Sequence, residues 1–272
     1  MELIDYVEET KKGKHVAGFP PALEMPGEFL NQLHLLYTDG EKNGCEFGQT
    51  AFFRSNGKKI ELSKTIKGTS VSCDPPRTSD NEELADMHSH PSASIGHVDG
   101  YSAPSLQDYL VFRHHMDKPL FIRFVSSGDW TYAVVYRKGL TVLAVQTITD
   151  KILDCNFEMR EYQEKNMPGT FEDRDKELFA IENMPSKTLL TNTEFWLSCF
   201  TKQPSHFELD KRRSALRDLK MVEWKRQTPL LGSFLMEQSM GYNTEMANSG
   251  KFGFYCAKGS ATLKLEAGPT SV

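Results

Sequence analysis

Residues 86–91 read Asp86-Met87-His88-Ser89-His90-Pro91, and the rest of the chain is best understood from this stretch. Alternate side chains of a β-strand leave the same face of a sheet, so a strand over residues 84–90 places both histidine rings on one side. Pro91 has no backbone N–H to donate to a neighbouring strand and therefore ends this one. Two imidazoles at the end of a strand indicate a divalent-metal site.

A helix that begins downstream can supply a carboxylate to the same site. Ser105 and Asp108 have the spacing of a capping box, in which the serine caps a helix whose first turn holds the aspartate. Asp108 then points back toward the end of the strand. Asp99 is the alternative third ligand, because it is nearer in sequence but lies in a Gly/Ser-rich loop. Two imidazoles and one carboxylate suit zinc, with a fourth position left for water or substrate.

The residues on either side of this stretch alternate between helix and strand patterns. Apolar residues at helical spacing predict a packed helix over 27–38, and a second helix is predicted over 105–116. Strand patterns occur at residues 45–54, 59–65, 84–90, 120–125, 131–136 and 141–148, with a hairpin turn at 55–57. These elements predict an α/β (α+β) fold, in which a mixed β-sheet is flanked by helices.

A change in composition near residue 150 predicts two regions. Residues 1–150 hold the proposed metal site, and residues 1–26 of this region form an N-terminal arm. Residues 151–272 form a mostly helical region without a recognisable catalytic motif. Helices are predicted there over 155–165, 172–183, 189–200, 206–226 and 229–239, followed by a hairpin of strands at 252–256 and 261–265.

The motif resembles that of the JAMM (MPN-type) zinc metalloproteases. The likeness rests on His-Ser-His-Pro followed by Ser-x-x-Asp at a helix start, and on a glutamate-bearing strand upstream at residues 45–53. It covers roughly residues 28–150 and implies that residues 1–150 form a JAMM-like metallopeptidase domain. The sequence departs from the family pattern in two places. One residue separates Glu46 from Gly48 where the family often has two, and the loop over 91–104 is longer than in the family. The resemblance implies a JAMM-like sheet flanked by helices and the activity of a deubiquitinase-like isopeptidase.

The resemblance also implies a role for each matching residue. His88, His90 and Asp108 would hold Zn²⁺, which makes a water molecule acidic enough to ionise near neutral pH. Glu46 would take the proton of that water and pass it to the leaving amine. Ser105 would donate a hydrogen bond to the developing oxyanion, although it can equally be a plain helix cap. The expected substrates are proteins that carry ubiquitin or a ubiquitin-like modifier on lysine.

Two other classes of function remain open. Asp86-x-His88-x-His90 also resembles the opening of amidohydrolase and phosphoesterase barrels, which need histidines later in the chain. The third possibility is a catalytically silent scaffold with the JAMM fold.

Individual residues also have alternative interpretations. Glu46 can be a solvated strand residue, His97 can approach the site from the loop, and residues 114–115 are expected on a solvated helix face.

Composition limits the compartment and the partners. Hydrophobic residues at 39% and charged residues at 25% are typical of a soluble globular protein, and a net charge of −5 gives no reason to expect nucleic acid. No apolar run approaches the roughly eighteen residues that span a bilayer, and no signal peptide is recognisable. Five scattered cysteines without a Cys-x-x-Cys motif favour a reducing, cytoplasmic compartment. The sequence is also compatible with a protein that is delivered into another cell by a route that needs no signal peptide.

Overall fold

A computed structural model gives the fold of the chain. It describes residues 1–14, 17–54, 59–69, 72–75, 82–91, 103–151, 170–190, 205–227 and 229–270, together with residues 154, 161 and 165. The chain divides into two compact units. The first contains residues 1–156 and 232–272, and the second contains residues 157–231.

Nine strands form one mixed sheet in the first unit, within the part of the chain that the structure describes. They are β1 (Ala22–Glu24), β2 (Phe47–Arg54), β3 (Lys59–Leu62), β4 (Ile66–Lys67), β5 (Glu83–Ser89), β6 (Leu120–Ser127), β7 (Trp130–Arg137), β8 (Gly253–Lys258) and β9 (Thr262–Ala267). Their order is β1-β9-β8-β7-β6-β5-β2-β3, and β4 also pairs with β2. β5 and β6 are parallel, whereas the other pairs are antiparallel.

Helices cover both faces of this sheet. Helices α1 (Leu3–Lys11) and α2 (Gly27–Asn43) pack on one face, where their apolar residues join those of the strands in one core. The other face is covered by a 3₁₀ helix (Leu106–His114) and by the end of the long helix Pro229–Gly250. A sheet that is covered on both sides explains why every residue of β6 is buried. The predicted fold class, a mixed α/β sheet flanked by helices, is confirmed.

Strand alternation decides which side chains of β5 reach the site. Ala85 and Met87 point into the core beneath α1 and α2, so Asp86 and His88 face the side of the 3₁₀ helix. The antiparallel register places Gly48 of β2 opposite His88. The parallel register places Arg123 of β6 beside Asp86. The strand predicted over 84–90 is therefore confirmed and occupies an interior position in the sheet.

One predicted strand is wrong. Residues 141–148 were expected to form the third strand of a meander, but residues 145–151 are helical. β8 pairs with β7 where that strand was expected. Val142 donates its backbone N–H to the carbonyl of Gly250 at 2.8 Å. The chain after Gly139 therefore leaves the sheet and meets the end of the long helix Pro229–Gly250, here called the C-terminal helix. Tertiary pairing has overridden a local pattern rich in β-branched residues.

The C-terminal third of the chain is divided between the two units. β8 and β9 confirm the predicted hairpin, and both strands return to the sheet of the first unit. The division into units therefore differs from the predicted boundary near residue 150, while the assignment of a metallopeptidase domain to residues 1–150 stays a prediction. In the second unit, helices Thr170–Glu182, Ser186–Leu189 and His206–Gln227 surround a small cluster of buried leucines.

Several predicted elements fall outside the described residues. These are the hairpin turn at 55–57, most of the helices predicted over 155–165 and 189–200, and the loop that contains Asp99 and His97. Among the helices that the structure does describe, none combines the length and the apolar character that crossing a membrane would require.

Candidate metal centre

The two histidines meet at the end of β5. His88 is in the strand and His90 directly follows it; their Nε2 atoms are 3.0 Å apart. The backbone fixes this arrangement, because His90 donates its N–H to the carbonyl of Ser126 at 2.8 Å and accepts a hydrogen bond from Ser127 Oγ at 3.0 Å. The two histidines are 1% and 2% exposed. They therefore form a rigid, buried pair of nitrogen donors.

Glu46 joins this pair from the neighbouring strand. It immediately precedes β2, and its backbone is held by Thr69 and Gly68 through hydrogen bonds of 2.8 Å each. The ligand atoms of Glu46, His88 and His90 all lie within 4.8 Å of one another. All three residues are buried. A carboxylate and two imidazoles at this separation can hold a metal ion.

Asp108 reaches the histidines from the start of the 3₁₀ helix. Its Oδ1 is 3.2 Å from His88 Nε2, and its Oδ2 is 3.7 Å from His90 Nε2. Ser105 donates to Asp108 Oδ2 through its backbone N–H at 2.6 Å and through its hydroxyl at 2.8 Å. The structure thus brings Asp108 and Ser105 to the site, as expected from the capping-box spacing. Asp99 lies outside the described residues.

The donor set can hold a metal ion, and its ligand types are ones that zinc takes. Nitrogen ligands at 2.0–2.1 Å in a tetrahedral site are about 3.3 Å apart, close to the 3.0 Å between the histidine nitrogens. Carboxylate oxygens from Glu46 and Asp108 provide the anionic donors that accompany imidazole at such sites. Within the described residues, His88 Nδ1 has no hydrogen-bond partner. This ring nitrogen thus lacks, among those residues, the outer partner that metal-bound histidines usually have.

Arg123 belongs to the candidate site but was not predicted from the sequence. Its guanidinium donates to Asp86 Oδ2 at 2.9 Å, and its Nε lies 2.9 Å from Asp108 Oδ1. All three residues are buried, so one arginine holds two acids beside the histidines. The signal was present in the sequence, because a single arginine interrupts the otherwise apolar beginning of β6. A buried cation on a central strand is costly unless anions or other acceptors lie close to it.

The charges around the site set the protonation of its acids. Burial raises the pKa of Asp108, but Arg123 and His88 outweigh it and hold that pKa well below its usual range. Burial raises the pKa of Asp86 despite the opposing effect of Arg123. The pKa of Glu46 is also raised by burial, with the two histidines acting in the opposite direction. Asp108 is thus held as an anion, whereas Glu46 binds a proton more readily than an exposed glutamate.

The C-terminal helix fastens the segment that carries Asp108. Asn243 is buried and donates its side-chain N–H to the carbonyl of Pro104 at 2.7 Å. Its Oδ1 accepts a hydrogen bond from the hydroxyl of Tyr109 at 2.8 Å. These two contacts bracket Ser105 and Asp108 in the chain. A residue more than a hundred positions later therefore fixes where the 3₁₀ helix begins.

The adjacent histidines at residues 114–115 do not reach the site. Arg113 donates a hydrogen bond to His114 Nε2 at 2.8 Å on the exposed side of the 3₁₀ helix. His115 is buried and stacks on Phe121, with the ring centroids 3.6 Å apart. The expectation of a solvated face is therefore wrong for His115, because the helix ends there and the ring turns onto β6. His97 lies outside the described residues.

Comparisons with known proteins identify no relative of this chain, since no family model, no curated protein and no solved structure matches it. The functional conclusion therefore depends on the chemistry of the site itself.

Ser105→Ala tests whether the serine hydroxyl does more than orient Asp108. We expect the variant to lose about 1 kcal/mol of unfolding free energy, because the 2.6 Å backbone hydrogen bond to Asp108 remains. Urea denaturation measures this loss, and titration with Zn²⁺ is expected to show retained binding. The control is Ser249→Ala, which removes an exposed hydroxyl bonded to Glu245 on the C-terminal helix. Complete loss of metal binding in Ser105→Ala would contradict the expectation.

Proposed function

We propose that this protein is a zinc-dependent hydrolase of amide or isopeptide bonds, of the JAMM type. The observation that carries the proposal is the convergence of Glu46, His88 and His90 within 4.8 Å in a buried position. Asp108 adds a fourth group in contact with both histidines. Buried acids and imidazoles placed this closely are uncommon without a functional reason, because each is costly to desolvate.

The residues divide into those that hold the metal and one that moves a proton. His88, His90 and Asp108 are the proposed ligands, and Arg123 keeps the aspartate ionised for that role. When bound, zinc supplies Lewis-acid activation of a water molecule. Glu46 accepts a proton and delivers it to the leaving amine, a task for which a glutamate with a raised pKa is well suited.

Ser105 has a more limited role in this proposal than the family resemblance implies. Its hydroxyl donates to Asp108 Oδ2, so the same hydrogen is not available to an oxyanion at the same time. Ser105 acts as a positioning residue for the aspartate. A role as oxyanion donor requires that its hydroxyl change partner when substrate binds.

The proposed substrate class rests on the sequence motif. His-Ser-His-Pro with a downstream Ser-x-x-Asp resembles the signature of isopeptidases that remove ubiquitin or ubiquitin-like proteins from lysine. The sheet topology favours this class over the barrel hydrolases, because parallel barrels are built from successive parallel strands. In the described part of the chain, β5 and β6 are the one parallel pair.

The test uses purified full-length protein with its metal content measured by mass spectrometry. We expect bound zinc, cleavage of a lysine-linked diubiquitin, loss of cleavage in a chelator and recovery when Zn²⁺ is returned. A phosphodiester substrate is the control for the other class of hydrolase. Hydrolysis of the phosphodiester alone would replace the isopeptidase proposal with the second class. Protein that contains no transition metal and takes none up would refute the metal-dependent function.

A further inference from the structure

A basic pocket lies on the opposite face of the sheet from the metal centre. It opens between the end of α1, the residue that precedes β6 and the turn that follows β7, and its volume is about 320 Å³. Four of the residues that line it carry positive charge, namely Lys11, Lys14, Arg137 and Lys138. None of its described lining residues is acidic. The pocket therefore concentrates positive charge in a concave site.

Arg137 provides a second, independent indication that this pocket receives an anion. The residue is 4% exposed, yet no ion pair with a carboxylate is found for it among the described residues. Its guanidinium donates to the backbone carbonyls of Gly18 and Lys14. It also lies beside the hydroxyl of Tyr6 and the ring of Phe19, so its described partners are all neutral. Its Nε has no acceptor among the described residues. A buried guanidinium without a counter-charge is unfavourable, and an anion in the adjoining pocket would remove that deficit.

Lysine side chains at the rim can contribute further charge. Lys14 is largely exposed and lies 3.5 Å from Glu9, a separation at which an exposed ion pair is weak. Lys138 donates to the backbone carbonyl of Asp117 at 3.3 Å, which leaves its charge uncompensated by that contact. Flexible ammonium groups of this kind reorient toward a bound anion at little cost.

The nearby end of α1 does not cancel this positive charge. The carboxyl end of a helix carries partial negative charge on its unpaired carbonyls. Here the carbonyls of Glu8, Glu9 and Thr10 accept hydrogen bonds from the backbone N–H groups of the three residues at 12–14. These contacts satisfy three of the last four carbonyls of α1, so the four side-chain cations outweigh the partial negative charge that remains.

The pocket and the metal centre are separate. Arg137 alternates with Val135 and Ala133, which belong to the core beneath α1 and α2, whereas His88 faces the 3₁₀ helix. Arg137 pairs with Leu120 at the start of β6, and His90 is bonded to Ser126 at its other end. Leu120 and Ser126 are six residues apart along β6, which corresponds to roughly 20 Å between the pocket and the metal centre along the strand. No lining residue of the pocket belongs to the metal centre.

We propose that this pocket binds a small oxyanion ligand, a molecule bearing a phosphate or carboxylate group. Arginine and lysine together recognise such groups, since the planar guanidinium gives directed hydrogen bonds and the ammonium gives mobile charge. The volume lies at the lower end of the range for small-molecule sites and matches a compact ligand. This proposal goes beyond the hydrolytic function and does not depend on it.

Calorimetric titration of the full-length protein with inorganic phosphate and, separately, with citrate tests the proposal at constant ionic strength. We expect saturable one-site binding of at least one anion, and the preferred anion identifies the ligand chemistry. Lys14→Ala and Lys138→Ala are each expected to weaken binding about tenfold, the effect of one charged hydrogen bond. Both lysines are outside the core, so these variants avoid the folding risk of a change at Arg137.

Lys42→Ala is the matched control, because it removes an exposed lysine from the last turn of α2 and is expected to bind as the wild type does. The proposal is overturned if neither anion shows saturable binding. It is also overturned if the combined Lys14→Ala, Lys138→Ala protein binds phosphate or citrate as tightly as the control.

Discussion

Replacing His88 by alanine is expected to remove the bound metal and the hydrolytic activity together. The Nε2 atom of His88 lies 3.0 Å from that of His90 and 3.2 Å from Asp108 Oδ1, so it is central to the donor set. Loss of a residue that merely supports a ligand costs 10–100-fold in metal affinity, and loss of a ligand is expected to exceed about 100-fold. Zinc titration and diubiquitin cleavage measure the two effects.

The control for this prediction is His34→Ala, which removes an exposed histidine from α2. That variant is expected to keep both zinc and activity. Retention of wild-type zinc affinity by His88→Ala would show that the histidine pair does not hold the metal.

Glu46→Gln separates the two roles that the geometry allows this glutamate. If Glu46 moves the proton, the variant keeps zinc and its turnover falls by about 10²–10⁴, the usual contribution of acid–base catalysis. If Glu46 is a ligand, the variant loses zinc as His88→Ala does. Measuring metal content before turnover therefore assigns the residue, and the near-identical size of glutamine keeps the surrounding packing intact.

Of the variants proposed here, Arg123→Met is expected to lose the most unfolding free energy. Asp86 and Asp108 are both buried, and each has an oxygen 2.9 Å from the Arg123 guanidinium. Removing one partner from a buried ionic cluster typically costs 3–5 kcal/mol, because the remaining charges stay desolvated without compensation. Urea denaturation, followed by circular dichroism, measures the change in unfolding free energy.

Two further variants identify the cause of that loss. Arg113→Met removes an exposed arginine from the 3₁₀ helix and is expected to change stability by less than about 0.5 kcal/mol. Adding Asp86→Asn to Arg123→Met removes one of the two uncompensated carboxylates, so part of the lost stability is expected to return. A loss below about 1 kcal/mol in Arg123→Met would show that the acids are not held by this charge.

The features that the sequence predicts are those encoded over short distances. The period of two at His88 and His90, followed by Pro91, identifies a strand and the face that it presents. The spacing of Ser105 and Asp108 identifies a capped helix start, although the helix that forms is of the 3₁₀ type. Each of these patterns depends on the geometry of one element, and each was recovered in the structure.

Features that depend on pairing between distant segments were not predicted. Arg123 reaches Asp86 only because β6 lies parallel to β5 with these two residues side by side. Residues 141–148 have a strand pattern, but β8 occupies the position beside β7. His115 is buried because Phe121 lies beneath its ring, which no local pattern reveals.

The contact between Asn243 and Pro104 has a consequence for how the protein is made. Translation proceeds from the amino terminus, so His88, His90 and Asp108 leave the ribosome long before Asn243 is synthesised. Until then the outer edge of β7 also has no strand β8 beside it. The nascent chain thus contains every proposed ligand but lacks the contacts that hold the segment of Asp108 in place. We therefore expect tight binding of an ion at the proposed site to be a late event in biogenesis.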